Sequence, residues 1–374
     1  MEDPTRSPKA EATRAKFLEL ALASILQSGI ASLSASDLVK QSGVSRPTFY
    51  SYFGDVDGLL AELWLSYGEA WARSMLLDAG PGIHDAPESR ALCEVFLQSH
   101  RNQQVREVVS ETLRDVLEQE LPEPGSRSVG LWRMANRIGS KITAASWPQA
   151  ADALFLDSYL DSIDGKVSRL TPTETPELPA IEWELDDESD ASIIEGVIQI
   201  VGSSGVGSLS ILRLGRVLRV TSGYLNPRID NLPQLVADTY RIAQNSAARQ
   251  NMATWSALNL KPEGFARFVV GSLGEQRGPW RRFRTEVLVA AAYNAELGAA
   301  VAQSMEEFIQ RLRARTSKIG LPAELAERVA LFVHTMLVGF AALDAAGVSV
   351  RSLAHEGVIR ALVGETAKRF VGIR

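Results

Sequence analysis

Residues 34–60, SASDLVKQSGVSRPTFYSYFGDVDGLL, hold the densest set of groups able to do chemistry. Arg46, Thr48, Tyr50 and Ser51 fall on the outer side of a short helical stretch, with Phe49 and Phe53 on its inner side. Guanidinium, hydroxyl and phenol groups displayed together suit hydrogen bonds to phosphate oxygens and base edges. The residues around them supply the geometry. Ser34 is a good N-cap for a helix that carries Leu38 and Val39 inward. Gly43 stands where the chain must turn sharply, because glycine takes positive φ without steric cost. Ser45 caps the next helix, and Pro47 lies in its first turn, where a missing N–H costs little. Two short helices about a glycine turn make a helix-turn-helix, whose second helix enters the major groove. Its N-terminus adds a positive dipole toward phosphate.

Other chemistries find little support. The four histidines (His84, His100, His334, His355) are scattered, and none pairs with another at metal-ligand spacing. Gly202-Ser203-Ser204-Gly205 lacks the lysine of a phosphate-binding loop. No catalytic group, metal site or cofactor is expected. The single Cys93 reads as a small buried side chain and suits a reducing compartment.

The run Gly43-Val44-Ser45-Arg46-Pro47-Thr48-Phe49-Tyr50-Ser51-Tyr52-Phe53, followed by Asp55, Leu59 and Leu60, resembles the DNA-binding signature of the tetracycline-repressor (TetR) family. The preceding helix, with Phe17, Ala21 and Gly29, fits as well, so the resemblance spans about residues 10–65. It implies that Ser45, Arg46, Thr48, Tyr50 and Tyr52 contact DNA. Lys40 and an N-terminal arm of Arg6, Lys9, Arg14 and Lys16 would lie near phosphates. One departure matters: the family often has a lysine just after the recognition helix, where this chain has Asp55, Val56 and Asp57. The resemblance further implies a helical body holding a pocket for an unidentified small-molecule effector. Its candidate residues are Trp71, Phe96, His100, Trp132 and Tyr159, then Trp255, Phe268, Phe283, Tyr293, Met305, His334 and Met336. Phe96, His100, Trp132, Phe283, Tyr293, Met305 and His334 lead that set.

The elements that must position these groups read as helical throughout. Phe17, Leu20, Ala21, Ser24 and Ile25 form one stripe at helical spacing, and Val95, Phe96, Ser99, Asn102, Val105 and Val109 another. Val197 to Val201 reads as the buried core of a helix. Around residues 171–190, three prolines and many carboxylates predict a linker with no packed element.

The segments flanking that linker are alike. Gly29-Ile30-Ala31-Ser32-Leu33-Ser34 matches Gly205-Val206-Gly207-Ser208-Leu209-Ser210 at a displacement of 176 residues, as do Leu38 with Leu214, Val44 with Val220 and Leu59 with Leu235. Further on, Glu94 matches Glu286 and Asn102 matches Asn294 at a displacement of 192. The expected fold is therefore all-α, in two tandem TetR-like units, each a three-helix head plus a helical ligand and dimerisation body. The expected divisions are a first head (1–60), a first body (61–168), an acidic proline-rich linker (169–189), a diverged second head (190–236) and a second body (237–374).

The second head keeps its apolar frame but not its polar signature. Arg219 replaces the turn glycine, and Asn226-Pro227 falls where Tyr50-Ser51 sit, predicting a shorter recognition helix. Arg216, Thr221, Ser222, Tyr224, Asn226 and Arg228 are its candidate DNA contacts. Two units in one chain could form the family's dimer internally, through residues 129–146 and 147–167 against 323–345 and 350–370. An ordinary homodimer is the alternative. Such a chain would read operator DNA as an effector-released regulator, a repressor by expectation. The rival reading is a helical ligand-binding or protein-partner module that has lost specific DNA binding. A length of 374 residues exceeds one ordinary core, and a net charge of −6 speaks neither for nor against DNA. No apolar run reaches the roughly 18 residues of a membrane span, so a cytoplasmic, nucleoid-associated protein is expected.

Overall fold

The computed structural model describes residues 8–77, 86–151, 157–167, 177–185, 188–257, 262–316, 323–353 and 355–371. Helices, short 3-10 turns and loops make up this part of the chain, with no β-strand among the described residues, so the fold is all-α. Two compact units are present: residues 1–120 with 345–348, and residues 121–344 with 349–374.

The first unit opens with α1 (Pro8–Ser28), α2 (Ala35–Ser42) and α3 (Arg46–Phe53), and continues with α4 (Val56–Leu76), α5 (Glu88–Leu97) and α6 (Gln103–Glu120). Its body is centred on Trp64, Trp71 and Phe96, whose ring centroids lie 5.4–5.9 Å apart. Both indole N–H groups are satisfied, Trp64 donating to Thr112 Oγ1 at 3.1 Å and Trp71 to Ser89 Oγ at 3.0 Å. Buried Glu94 accepts the backbone N–H of Ile30 at 2.9 Å, tying α5 to the turn between α1 and α2.

The second unit contains α7 (Pro124–Ala144), α8 (Asp157–Ile163), α9 (Glu188–Ser204), α10 (Ile211–Leu218) and α11 (Ser222–Leu225). It continues through α12 (Leu232–Ala257), α13 (Pro262–Ser272), α14 (Gly278–Ala291), α15 (Ala295–Thr316), α16 (Ala323–Ala345) and α17 (His355–Val371). Helices α7 and α16 approach to backbone contact. A Cβ at Gly139 would lie 2.0 Å from the Thr335 carbonyl oxygen, and one at Gly339 would lie 1.9 Å from that of Ala135. Trp132 sits in the same contact, stacked on Phe332 at 5.9 Å and edge-on to Phe340 at 5.1 Å. Arg133 and Arg137, both buried on α7, are neutralised by Asp161 and Asp157 of α8, each at 2.6 Å.

Residues 177–185, inside the stretch expected to carry no packed element, are neither helix nor strand, yet they are packed. Their backbone bonds run to α12 and the end of α13: Leu178 N–H donates to Gly271 O at 3.0 Å and Glu184 N–H to Ser246 Oγ at 3.2 Å. Ile181 is buried, Trp183 meets Trp280, and the carboxylates of Glu177 and Glu184 pair with Arg351 and Arg249. The acidity that looked like a solvated run is matched by arginines distant in sequence.

Two outcomes follow from this packing. Gly139→Val must push two helix backbones apart, so it should destabilise the protein by about 2–3 kcal/mol or more. Gly207→Ala, where a Cβ meets nothing within 4 Å, should be near neutral, and denaturant midpoints compare the two. Secondly, burial pushes His334 down to about 3 and His355 to about 4 from an ordinary 6.5. Both are therefore neutral in the native state at pH 7, and His355 Nε2–H donates to Val350 O at 2.6 Å. An unfolded chain takes up these two protons below pH 6.5 while the native core does not. Stability therefore falls as pH drops from 6.5 through about 4. Urea midpoints across that range should slope accordingly, and less steeply in His355→Gln.

Candidate nucleic-acid interface

Helix α2 is capped by Ser34, whose Oγ accepts from Asp37 N–H at 3.2 Å, and it ends at Gly43 in the left-handed region with φ 67°. Ser45 then caps α3: its Oγ lies 2.7 Å from Thr48 Oγ1 and accepts from Thr48 N–H at 3.4 Å. Pro47 sits in the first turn of α3. Beneath α3, Phe17, Phe49 and Phe53 form a triangle with centroids 5.3–5.7 Å apart. This aromatic wedge fixes which side of α3 faces outward.

The outward side carries the expected residues. Tyr50 is 44% exposed, and Ser45, Arg46 and Ser51 are exposed beside it, with Lys40 exposed on α2. Thr48 and Tyr52 are half-buried, Tyr52 resting edge-on against Phe53 at 6.2 Å. Neither Arg46 nor Lys40 forms an ion pair among the described residues, so both guanidinium and ammonium are available to a polyanion. Two of the expected phosphate ligands are engaged within the head. Arg14 pairs with Glu62 at 2.9 Å, joining α1 to α4, and Lys16 Nζ donates to Ser42 O at 2.8 Å, at the C-terminus of α2. Arg6 lies outside the described residues. Where the family's lysine would follow the recognition helix, Asp55 caps α4 by accepting from Gly58 N–H at 2.8 Å. Burial and the neighbouring Asp55 push Asp57 above its ordinary range.

Residues 17–63, which hold α2, α3 and the phenylalanine triangle, match the family model described as bacterial regulatory proteins, tetR family. The chain carries a tetR-family DNA-binding head. It is a helix-turn-helix transcriptional regulator, and α3 is the second helix of that helix-turn-helix.

The segment 188–230 follows the tetR-type head element by element at the displacement of 176 residues. The 3-10 turn at 206–208 matches that at 30–32, α10 matches α2, and Ser210 caps α10 as Ser34 caps α2. The counterpart of Gly43 is Arg219, held at φ 58°. It is the only non-glycine residue with positive φ among the described residues. Counterparts of Phe17, Phe49 and Phe53 are Ile193, Leu225 and Ile229, all buried. Helix α11, the counterpart of α3, has only four residues against eight, and Thr221 makes no side-chain cap bond. Arg216, Thr221, Ser222 and Asn226 are exposed. Arg228 folds back over Tyr224, 4.0 Å from its ring centre, and donates to Tyr224 O at 2.9 Å.

The expected pocket residues scatter. Phe96 belongs to the first unit's aromatic core, and His100 Nδ1 lies 2.6 Å from Leu97 O. Trp132 is locked in the α7–α16 contact, Phe283 is fully buried beside Trp280, and Met305 packs in a cluster with Trp147. Tyr293 is half-buried at the end of α14. His334 alone of the seven lines a cavity of about 40 Å³ in the second unit, together with Gln244, Phe268 and Arg284. Reading the sequence missed Arg284 and Gln244. The available signal was an arginine set at helical spacing within the apolar stripe of Phe283, Val287 and Leu288.

The head should separate stability from recognition. Phe49→Ala empties the aromatic wedge and should cost about 3–5 kcal/mol, seen as loss of the cooperative thermal transition of the head. Tyr50→Ala should leave that transition within about 0.5 kcal/mol of wild type.

Proposed function

We propose that the protein is an effector-released repressor in which the two halves of a tetR-type dimer lie within one chain. One observation carries this reading. In a two-fold interface, residue i of one half meets j of the other while j meets i. Gly139 lies against Thr335, and Gly339 against Ala135, with 200 residues separating the members of each equivalent pair, Gly139 and Gly339, Ala135 and Thr335. Trp132 stacks on Phe332, its own counterpart at the same displacement, as residues on a two-fold axis do. Leu131 with Leu331 and Ile138 with Val338 extend the correspondence along both helices.

The α7 face that would join two separate copies is thus occupied by α16 of the same chain. Two heads result, and they differ: α3 has a full two-turn recognition helix, while α11 is a single turn flanked by exposed Arg216 and Arg219. In this reading α3 makes the base contacts. The second head adds phosphate contacts, so the operator is asymmetric rather than palindromic. An effector bound in a helical body favours a conformer whose heads no longer fit the operator, which is a population shift.

Operator fragments selected from random DNA, followed by fluorescence anisotropy across salt, test this directly. Tyr50→Ala should weaken binding to the selected site about tenfold or more, while Arg216→Ala should weaken all sequences alike and lower the salt slope by about one. A monomeric complex on a non-palindromic site is expected in sedimentation. A palindromic site bound by two chains would refute the single-chain dimer, and no selected site at all would refute specific DNA recognition.

A further inference from the structure

Resting on the effector-release reading, we infer that the second unit alone holds the sensor, and that its ligand is a small monocarboxylate bound by Arg284. Arg284 is 6% exposed on α14, and among the described residues no carboxylate pairs with it. Its Nη2 donates to Leu337 O at 3.1 Å, while its Nε has no partner. His334 Nε2, lining the same cavity, is also buried and unpartnered, as is Gln244 Oε1, an acceptor that faces the ligand's hydrocarbon side or a bridging donor rather than its carboxylate. A buried guanidinium without an anion is costly; in the same unit Arg133 and Arg137 have an aspartate each, and Arg277 has the Pro179 carbonyl and the Asn251 side-chain oxygen, whereas Arg284 has a single carbonyl. The missing counter-ion at Arg284 is supplied by the ligand.

The cavity selects the class of anion. Arg284 offers a planar fork that matches a carboxylate. Phe268, Phe308 and Leu312 around it suit a hydrocarbon remainder rather than the charge and hydration of phosphate. Neutral His334 can donate Nε2–H to the second carboxylate oxygen; burial and the neighbouring guanidinium hold it neutral. A space of about 40 Å³ admits the head group without rearrangement, so a larger ligand must move its walls. A wider cleft of about 790 Å³ elsewhere in the unit is lined by Arg313 and Glu327, which neutralise each other. It presents no comparable unmet charge.

The first copy has lost these groups. By the displacements that relate the copies, Gln244, Arg284 and His334 correspond to Gly68, Leu92 and Met134. No ionisable group survives, and the Trp64 ring stands where a side chain at Gly68 would project, 2.5 Å from its Cβ position. One copy retained the DNA-reading helix and the other the anion receptor. Coupling has a short path, since His334 faces the cavity while its neighbour Thr335 meets Gly139 of α7. A ligand that moves α16 acts on the interface between the two halves.

The test uses the full-length chain with matched acids and amides: benzoate with benzamide and butyrate with butyramide, against sodium chloride at equal ionic strength. Thermal shift and calorimetry should show saturable binding of an acid and none of its amide. Arg284→Met should weaken that binding about 30-fold or more, with a Tm in the absence of ligand no lower than wild type, because an unpaired charge has been removed. Lack of binding by both acids, equal binding of acid and amide, or a clear fall in Tm for Arg284→Met would overturn the assignment. Anisotropy on the selected operator separates the two proposals. Acid binding without DNA release keeps the receptor and refutes effector release, whereas release by an uncharged ligand with unchanged affinity in Arg284→Met does the reverse.

Discussion

The backbone contact between α7 and α16 is the constraint on which the second unit's arrangement depends. Two helices can approach this closely only where side chains vanish, and Gly139 and Gly339 provide that at reciprocal positions. Once the backbones touch, Trp132 has a single place to go, between Phe332, Phe340 and the neutral ring of His355. The apolar faces of α7 and α16 are thereby consumed within the chain. Because α16 is buried on several sides, a shift of this helix is felt both at the glycine contact and at the cavity beside His334.

The tetR-type head and the segment 188–230 separate frame from chemistry. Their helix bounds, serine caps and left-handed turn recur at one displacement, although one turn residue is glycine and the other arginine. A left-handed arginine costs roughly 1–2 kcal/mol, which the surrounding apolar frame of Leu214 and Leu225 offsets. Corresponding core positions are aromatic in one segment and aliphatic in the other, and buried in both. The exposed second helix of the pair differs more. With Asn226-Pro227 in place of Tyr50-Ser51, α11 closes after one turn.

Buried charge divides the molecule differently. Arg133, Arg137 and Glu94 are each deeply buried and each meets a partner of opposite sign or a donor: Asp161, Asp157, and the Ile30 N–H with Arg90 nearby. These groups fix one helix against the next. Arg284 differs, since among the described residues no carboxylate meets it: the Leu337 carbonyl and the Trp280 ring are its partners, and Arg281 nearby adds like charge.

Local patterns made much of this legible in the sequence. Ser34, Gly43 and Ser45 act through bonds to residues three or four positions away, and Pro47 through its own fixed φ, so caps, turn and helix α3 could be read from the residues themselves. The all-α class followed from helical periodicity, and the shortening of α11 from a single proline. Contacts between segments far apart in the chain could not be read. Whether Arg14 and Lys16 face a phosphate or are tied to Glu62 and Ser42 depends on how α1 packs on α2 and α4. The acidic stretch at 177–185 looked solvated because its arginine partners lie about 65 to 174 positions away. Arg284 became conspicuous only when the fold buried it among five helices and brought no acid to meet it. Local sequence determined the helices, caps and turn, because those energies are settled within a few residues; tertiary structure decided which charges are paired, because pairing depends on which distant helix faces arrive together.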